Sequence, residues 1–120
     1  MTTILIVDDN LLNLELAADV LELADFDIIT ASSGRESIEK AEQSNPDLIL
    51  MDLRMPEMNG MEAMLALHRN KITCNIPVAV LTASVMKGDE ERLLESGFSA
   101  YLEKPIDPSC FANQVAGLIK

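Results

Sequence analysis

A chain of 120 residues fits one domain with a sizeable core, and 48% apolar against 24% charged residues is ordinary for a globular protein. Lysine and arginine number 9 against 20 acids, so the net charge is −11, and such a surface repels the phosphates of DNA and RNA. The longest apolar runs, Ile4–Val7 and Leu48–Met51, are too short to cross a bilayer, and with no charged segment and long apolar stretch at the start no secretory signal is expected. A cytoplasmic location without membrane contact is expected, in which Cys74 and Cys110, forming no CxxC pair, stay reduced and structural.

Strand-like and helix-like stretches alternate from end to end. Thr3–Val7 is a β-branched, fully apolar run that suits a parallel strand buried on both faces. Asn10 is placed to cap a helix whose apolar face reads as Leu16, Ala17, Val20, Leu21 and Ala24. Asp27–Ala31 reads as a second strand and Ser33–Glu42 as a polar second helix, which Asn45-Pro46 breaks. Asp47–Asp52 contains the third strand, and the turn-rich Arg54–Gly60 leads to a helix from about Met61 to Arg69. Pro77 introduces a fourth strand, Val78–Leu81; Gly88–Ser96 is a short charged helix with Gly97 just past its end. Ala100–Glu103 is a fifth strand, and Pro108 at the first helical position opens a last helix with the stripe Phe111, Val115, Leu118. The alternation implies an α/β, doubly wound, five-stranded parallel sheet with helices on both faces. No internal repeat or linker interrupts it, so residues 1–120 are expected to form a single domain.

Ligands of an open parallel sheet bind beyond the carboxyl ends of its strands. There the chain places Asp8-Asp9 after the first strand, Asp52 after the third, Thr82 after the fourth and Lys104-Pro105 after the fifth. Any one of these alone reads equally as a solvated loop residue or a cap. All of them immediately following strands of apolar residues point to one site. Clustered carboxylates repel unless something compensates, and a hard divalent cation with oxygen ligands is the natural compensation. Mg²⁺ is expected, with Asp9 and Asp52 as direct ligands, Asp8 acting through a water, and a backbone carbonyl, that of Arg54, completing the set.

With Met55-Pro56 and Asn59-Gly60 behind Asp52, Thr82-Ala83, and Tyr101-Leu102-Glu103-Lys104-Pro105, the chain resembles the receiver domain of bacterial response regulators. Met86–Arg92 further resembles single-domain receivers of the DivK type. The resemblance covers essentially the whole chain. It implies the flavodoxin-like, CheY-like (βα)5 fold with strand order 2-1-3-4-5. It also implies a signalling switch rather than a turnover enzyme, acting as a monomer or weak dimer. Asp52 would take a phosphoryl group from a sensor histidine kinase, a histidine phosphotransfer protein or a small phosphodonor, with Mg²⁺ and Lys104 balancing charge. Thr82 would bond the phosphoryl oxygen and Tyr101 would rotate inward, remodelling the surface of the fourth helix, fifth strand and fifth helix for a downstream protein target. A cis bond is expected at Lys104–Pro105. Leu11 and Leu14, on the side of the first helix away from its core stripe, form an expected docking patch for the phosphodonor.

Asp25 stands where the family often has Gly and can hold the same left-handed turn. Arg54 and Ser84 occupy positions that in the family tune attack by water. Two other readings stand beside it: with the same fold, a receiver module cut from a hybrid kinase or larger regulator, and, of a different class, a phosphatase or phosphotransferase using an acyl-phosphate intermediate on an α/β fold. The latter generally needs a cap domain and an extra acid where Arg54 stands. A flavodoxin-like cofactor binder would need a Ser/Thr/Gly-rich phosphate loop after the first strand, and the chain has Asp8-Asp9-Asn10 there.

Overall fold

The computed structural model describes residues 2–82, 89–104 and 106–119. Ala83, Ser84, residues 86–88 of the Met86–Arg92 stretch and Pro105 of the Lys104–Pro105 bond lie outside them. Five strands and five helices alternate: β1 (Thr3–Val7), α1 (Leu11–Leu23), β2 (Asp27–Ala31), α2 (Gly34–Ser44), β3 (Leu48–Asp52), α3 (Gly60–Arg69), β4 (Val78–Thr82), α4 (Asp89–Ser96), β5 (Ala100–Glu103) and α5 (Phe111–Ala116). All neighbouring strands are parallel, in the order β2-β1-β3-β4-β5. Both the fold class and the strand order match expectation.

Two cores follow from the strand period of two. Leu5, Val7, Ile49, Met51, Val78 and Val80 face one side, where Ala41, Met64, Leu67, Leu93 and Phe98 cover them. Ile4, Ile6, Leu48, Leu50, Ala79 and Leu81 face the other, against Leu14, Ala17, Leu21, Phe111 and Val115. Every residue of β3 and β4 is buried, so these strands need apolar residues at consecutive positions rather than alternation. At about 1.5–3 kcal/mol for each fully buried aliphatic side chain, this central layer is the main source of stability.

The helix termini follow local chemistry. The Asn10 side chain accepts from the N–H groups of Leu12 and Asn13 at 3.0 and 3.2 Å. Asn59 and Glu62 form a reciprocal capping box at the start of α3. Asp25 holds φ 70° after α1, as expected for a short polar side chain, and Gly97 holds φ 129° after α4.

Two expectations are corrected. The buried face of α1 is Leu14, Ala17, Ala18 and Leu21, whereas Leu16 is exposed and Ala24 is the C-cap. Leu14 is therefore a core residue and not part of an outward patch. Leucines occupy every face of this helix, so apolar periodicity does not set its phase. The pair Ala17 and Ala18 does, by letting the helix lie close to the sheet. The last helix begins at Phe111 rather than at Pro108. The Asp107 carboxylate accepts from Ser109 N–H at 3.0 Å and Ser109 Oγ at 2.6 Å, making 108–110 a turn that precedes the helix.

Candidate functional site

The strand ends carry the site, and the sheet ladder runs one step past them. Asp8 N–H donates to Ala31 O at 3.1 Å, Leu53 N–H to Leu81 O at 3.3 Å, and Lys104 N–H to Thr82 O at 2.9 Å. The residues beside the pocket are thus anchored as strand residues rather than as free loop. Asp8 and Asp52 are buried, while Asp9 is exposed. Their carboxylate oxygens lie within 4.8 Å of one another.

Asp8 uses both of its oxygens. Oδ1 accepts from Asn10 N–H at 2.9 Å, and Oδ2 receives Lys104 Nζ at 2.6 Å. The same ammonium reaches Asp52 Oδ1 at 3.2 Å. Burial pushes the Asp52 carboxyl above its ordinary range, and the charge of Asp8 pushes it further. Lys104 opposes the shift, and Asp9 adds a smaller push in the raising direction. Burial alone would lower the Lys104 ammonium, but hydrogen bonds and charge from Asp8 and Asp52 hold it above the usual lysine value. The ammonium sits closer to Asp8 than to Asp52, and burial together with the Asp8 charge outweighs it, so Asp52 stays raised.

Among the described residues one ammonium faces three carboxylates, which leaves negative charge in excess. The donors are all carboxylate oxygens and one of them is exposed, which fits a hard divalent cation that keeps some of its waters. Asp8, Asp9, Asp52 and Lys104 are therefore brought together as expected. Thr82 is buried at the end of β4, one residue beyond the partner of Asp52 in the ladder. Tyr101 is half-buried, pairs in register with Val80, and packs against the core beneath α2, α3 and α4. It thus lies on the sheet face that Val78 and Val80 share and that Thr82 continues by alternation. Arg54 is exposed on the loop after β3.

Sequence reasoning missed the steric role of Gly60. A Cβ there would fall 2.4 Å from Asp52 O and 2.9 Å from Leu53 Cα, so only glycine lets α3 start against the backbone of Asp52. The Asn-Gly pair marked the turn but not this contact.

Known proteins place the same geometry in a class. The model of the response regulator receiver domain matches residues 4–116, and the chain belongs to that family, the receivers of two-component signalling. Within it the chain is DivK-like. It is 40% identical over 113 residues to the polar-differentiation response regulator DivK of Brucella ovis, covering 94% of this chain and 92% of that protein. Chemotaxis protein CheY4 of Vibrio cholerae has a TM-score of 0.92 at 26% identity, over 99% of each chain. A response regulator from Desulfuromonas acetoxidans gives 0.89 at 28%, over 98% of this chain and 96% of that one. Among the described residues no helix is long and apolar enough to cross a membrane.

Proposed function

We propose that Asp52 accepts a phosphoryl group in a Mg²⁺-dependent reaction, and that residues 1–120 act as one cytoplasmic receiver module switched by that modification. The observation that carries the reading is the Lys104 ammonium shared between buried Asp8 and Asp52, with Asp9 completing an acidic set on the open side. Asp9 and Asp52 would hold Mg²⁺ directly, Asp8 through a water, and the backbone carbonyl of Arg54 would join them. Bound there, the cation would neutralise charge on the equatorial oxygens of the phosphoryl group in flight.

The chain's own groups do the rest. An Asp52 carboxylate oxygen attacks phosphorus of a phosphohistidine or a small acyl phosphate. The new O–P bond forms as the bond to the donor breaks, and the donor leaves with the electron pair. Lys104, already within hydrogen-bonding distance of Asp52, follows the transferred oxygens on its flexible stem. Water attacking phosphorus later breaks the O–P bond and restores the carboxylate. Thr82 would bond a phosphoryl oxygen, and the resulting shift would favour an inward Tyr101, altering the α4-β5-α5 surface. On that surface a groove of about 300 Å³ is lined by Tyr101, Leu102, Glu103, Asp107, Cys110 and Gln114, a place for a downstream protein.

The phosphodonor would be a histidine kinase or histidine phosphotransfer protein that docks on α1. Leu11 and Leu12 are 67% and 77% exposed and Leu16 is 43% exposed, at the end of the helix that begins beside Asp8 and Asp9. No lysine or arginine occurs before Arg35, so the patch favours an apolar partner helix with basic flanks. Mass spectrometry after incubation with acetyl phosphate and Mg²⁺ tests the central assignment. The parent gains one phosphoryl group, Asp52→Asn does not, and a stoichiometric gain on that variant overturns the reading.

A further inference from the structure

The loop that leaves Asp52 is held in a strained shape. Met58 N–H donates to Pro56 O at 2.8 Å, closing a three-residue turn around Glu57, whose φ is 66°. This is the positive-φ form of the γ-turn, rare and strained for a residue with a side chain. Two helix starts wedge it. On one side Gly60 N–H donates to Leu53 O at 2.9 Å. On the other, buried Gly34, the first residue of α2, faces Met58. A Cβ at Gly34 would lie 2.9 Å from Met58 O, 3.0 Å from Met58 Cγ and 3.1 Å from Met58 Cβ. The closest of these atoms is main chain, so no rotamer change relieves the contact.

We propose that Gly34 is a positioning residue, the start of α2 setting through Met58 the shape of the 53–59 loop and hence the affinity of the acidic pocket for a divalent cation. The inference rests on the metal reading above and adds an element, α2, that supplies no side chain to the pocket. An alanine at Gly34 would have to displace the main chain at Met58. In an α-helix alanine is also intrinsically favoured over glycine, so the displacement is offset in global stability while remaining in the loop. Metal affinity and fold stability should therefore separate.

The test is a Mg²⁺ titration of the purified domain followed by the amide resonances of residues 53–59, alongside the melting temperature of the metal-free protein. Gly34→Ala should raise the Mg²⁺ dissociation constant about tenfold, the scale on which supporting residues tune metal sites. Its metal-free melting temperature should stay within about 3 °C of the parent, since helix propensity offsets the displacement. Glu57→Gly, which holds the positive φ without strain, should keep Mg²⁺ binding within about twofold of the parent while melting no lower. A Gly34→Ala dissociation constant within about twofold of the parent, against the roughly tenfold or greater loss typical of such positions, would overturn the proposal. If Gly34→Ala does not fold alone, the same substitution in the Glu57→Gly background, where the loop can yield, decides it by the same criterion. Should the parent show no Mg²⁺-dependent shifts, the metal reading falls instead. The metal-free resonances of Leu53–Asn59 in Gly34→Ala then decide the coupling: movement upholds it and no movement overturns it.

Discussion

Replacing Lys104 by methionine keeps the apolar stem and removes the ammonium that lies 2.6 Å from Asp8 and 3.2 Å from Asp52. Breaking a fully buried pair from one side costs about 3–5 kcal/mol, because the charge left behind is stranded. The Lys104 and Asp52 side chains retain 13% and 11% exposure, so water screens part of the loss, and about 2–3 kcal/mol is the expected cost. Unfolding entropy of about 2.1 cal/mol/K per residue converts 1 kcal/mol into about 4 °C for 120 residues. Metal-free Lys104→Met should therefore melt about 8–12 °C below the parent near neutral pH. Asp52 already binds a proton more readily when folded than an ordinary carboxyl does, and losing the ammonium strengthens that tendency. Its ionisation then costs stability at every pH above the folded pKa, and the cost disappears as pH falls through that value. The stability contributed by the raised Lys104 pKa is lost only on the alkaline side, as pH rises through it. The melting gap should accordingly narrow as pH falls from neutral into the range where Asp52 takes up its proton, and Mg²⁺ should raise the variant's melting temperature by more than the parent's. Differential scanning fluorimetry across pH, with and without Mg²⁺, measures both effects. A metal-free variant melting within about 3 °C of the parent, with a gap independent of pH, would refute the view that Lys104 holds two mutually repelling acids together.

Other perturbations separate the proposed roles. Asp9→Ala removes the exposed acid of the cluster, so Mg²⁺ binding, read by titration, should weaken about tenfold while the metal-free domain melts at or above the parent temperature. Thr82→Ala should still be phosphorylated on Asp52. However, the amide shifts that a phosphoryl mimic such as beryllofluoride induces over Gly97–Glu103 should shrink, because a charge-assisted hydrogen bond of about 1.5–3 kcal/mol is lost. Leu12→Ser with Leu16→Ser should slow transfer from a phosphorylated histidine phosphotransfer protein without slowing transfer from acetyl phosphate. Leu14→Ala, by contrast, should lower stability by about 2–4 kcal/mol in chemical denaturation, because that leucine is in the core.

The central strands were legible because doubly buried parallel strands need unbroken apolar runs, and Ile4–Val7 and Leu48–Met51 have few other uses. The acids were legible because they follow those runs immediately. The phase of α1 was not, since Leu11, Leu12, Leu14, Leu16, Leu21 and Leu23 surround the helix and only contact with the sheet chooses among its faces. The start of α5 turned on a competition that composition hides. Pro108 suits a first helical turn, yet Asp107 spends its carboxylate on Ser109 and makes a turn there. Gly34 and Gly60 each leave space for main chain from a distant or preceding segment, and no local pattern announces which backbone will occupy it. The φ of Glu57 has the same character, being imposed by what surrounds the loop rather than by glutamate's own preference.

The rungs continuing past the strand ends have a consequence for isotope exchange. Loops around a reactive pocket commonly surrender their amide protons to solvent in brief local openings. Here the N–H groups of Asp8, Leu53 and Lys104 are each tied to the neighbouring strand at 3.1, 3.3 and 2.9 Å. Opening any of them requires parting strands whose side chains form both cores, so these protons should persist in deuterated water on the timescale of the sheet interior. The exposed Asp9 and Arg54, only one residue further along from Asp8 and Leu53, have no such tether among the main-chain bonds of the described residues and should exchange early. The boundary between slow and fast exchange would thus pass through the pocket itself, with a persistent wall of strand ends on one side and a rapidly renewed margin on the other.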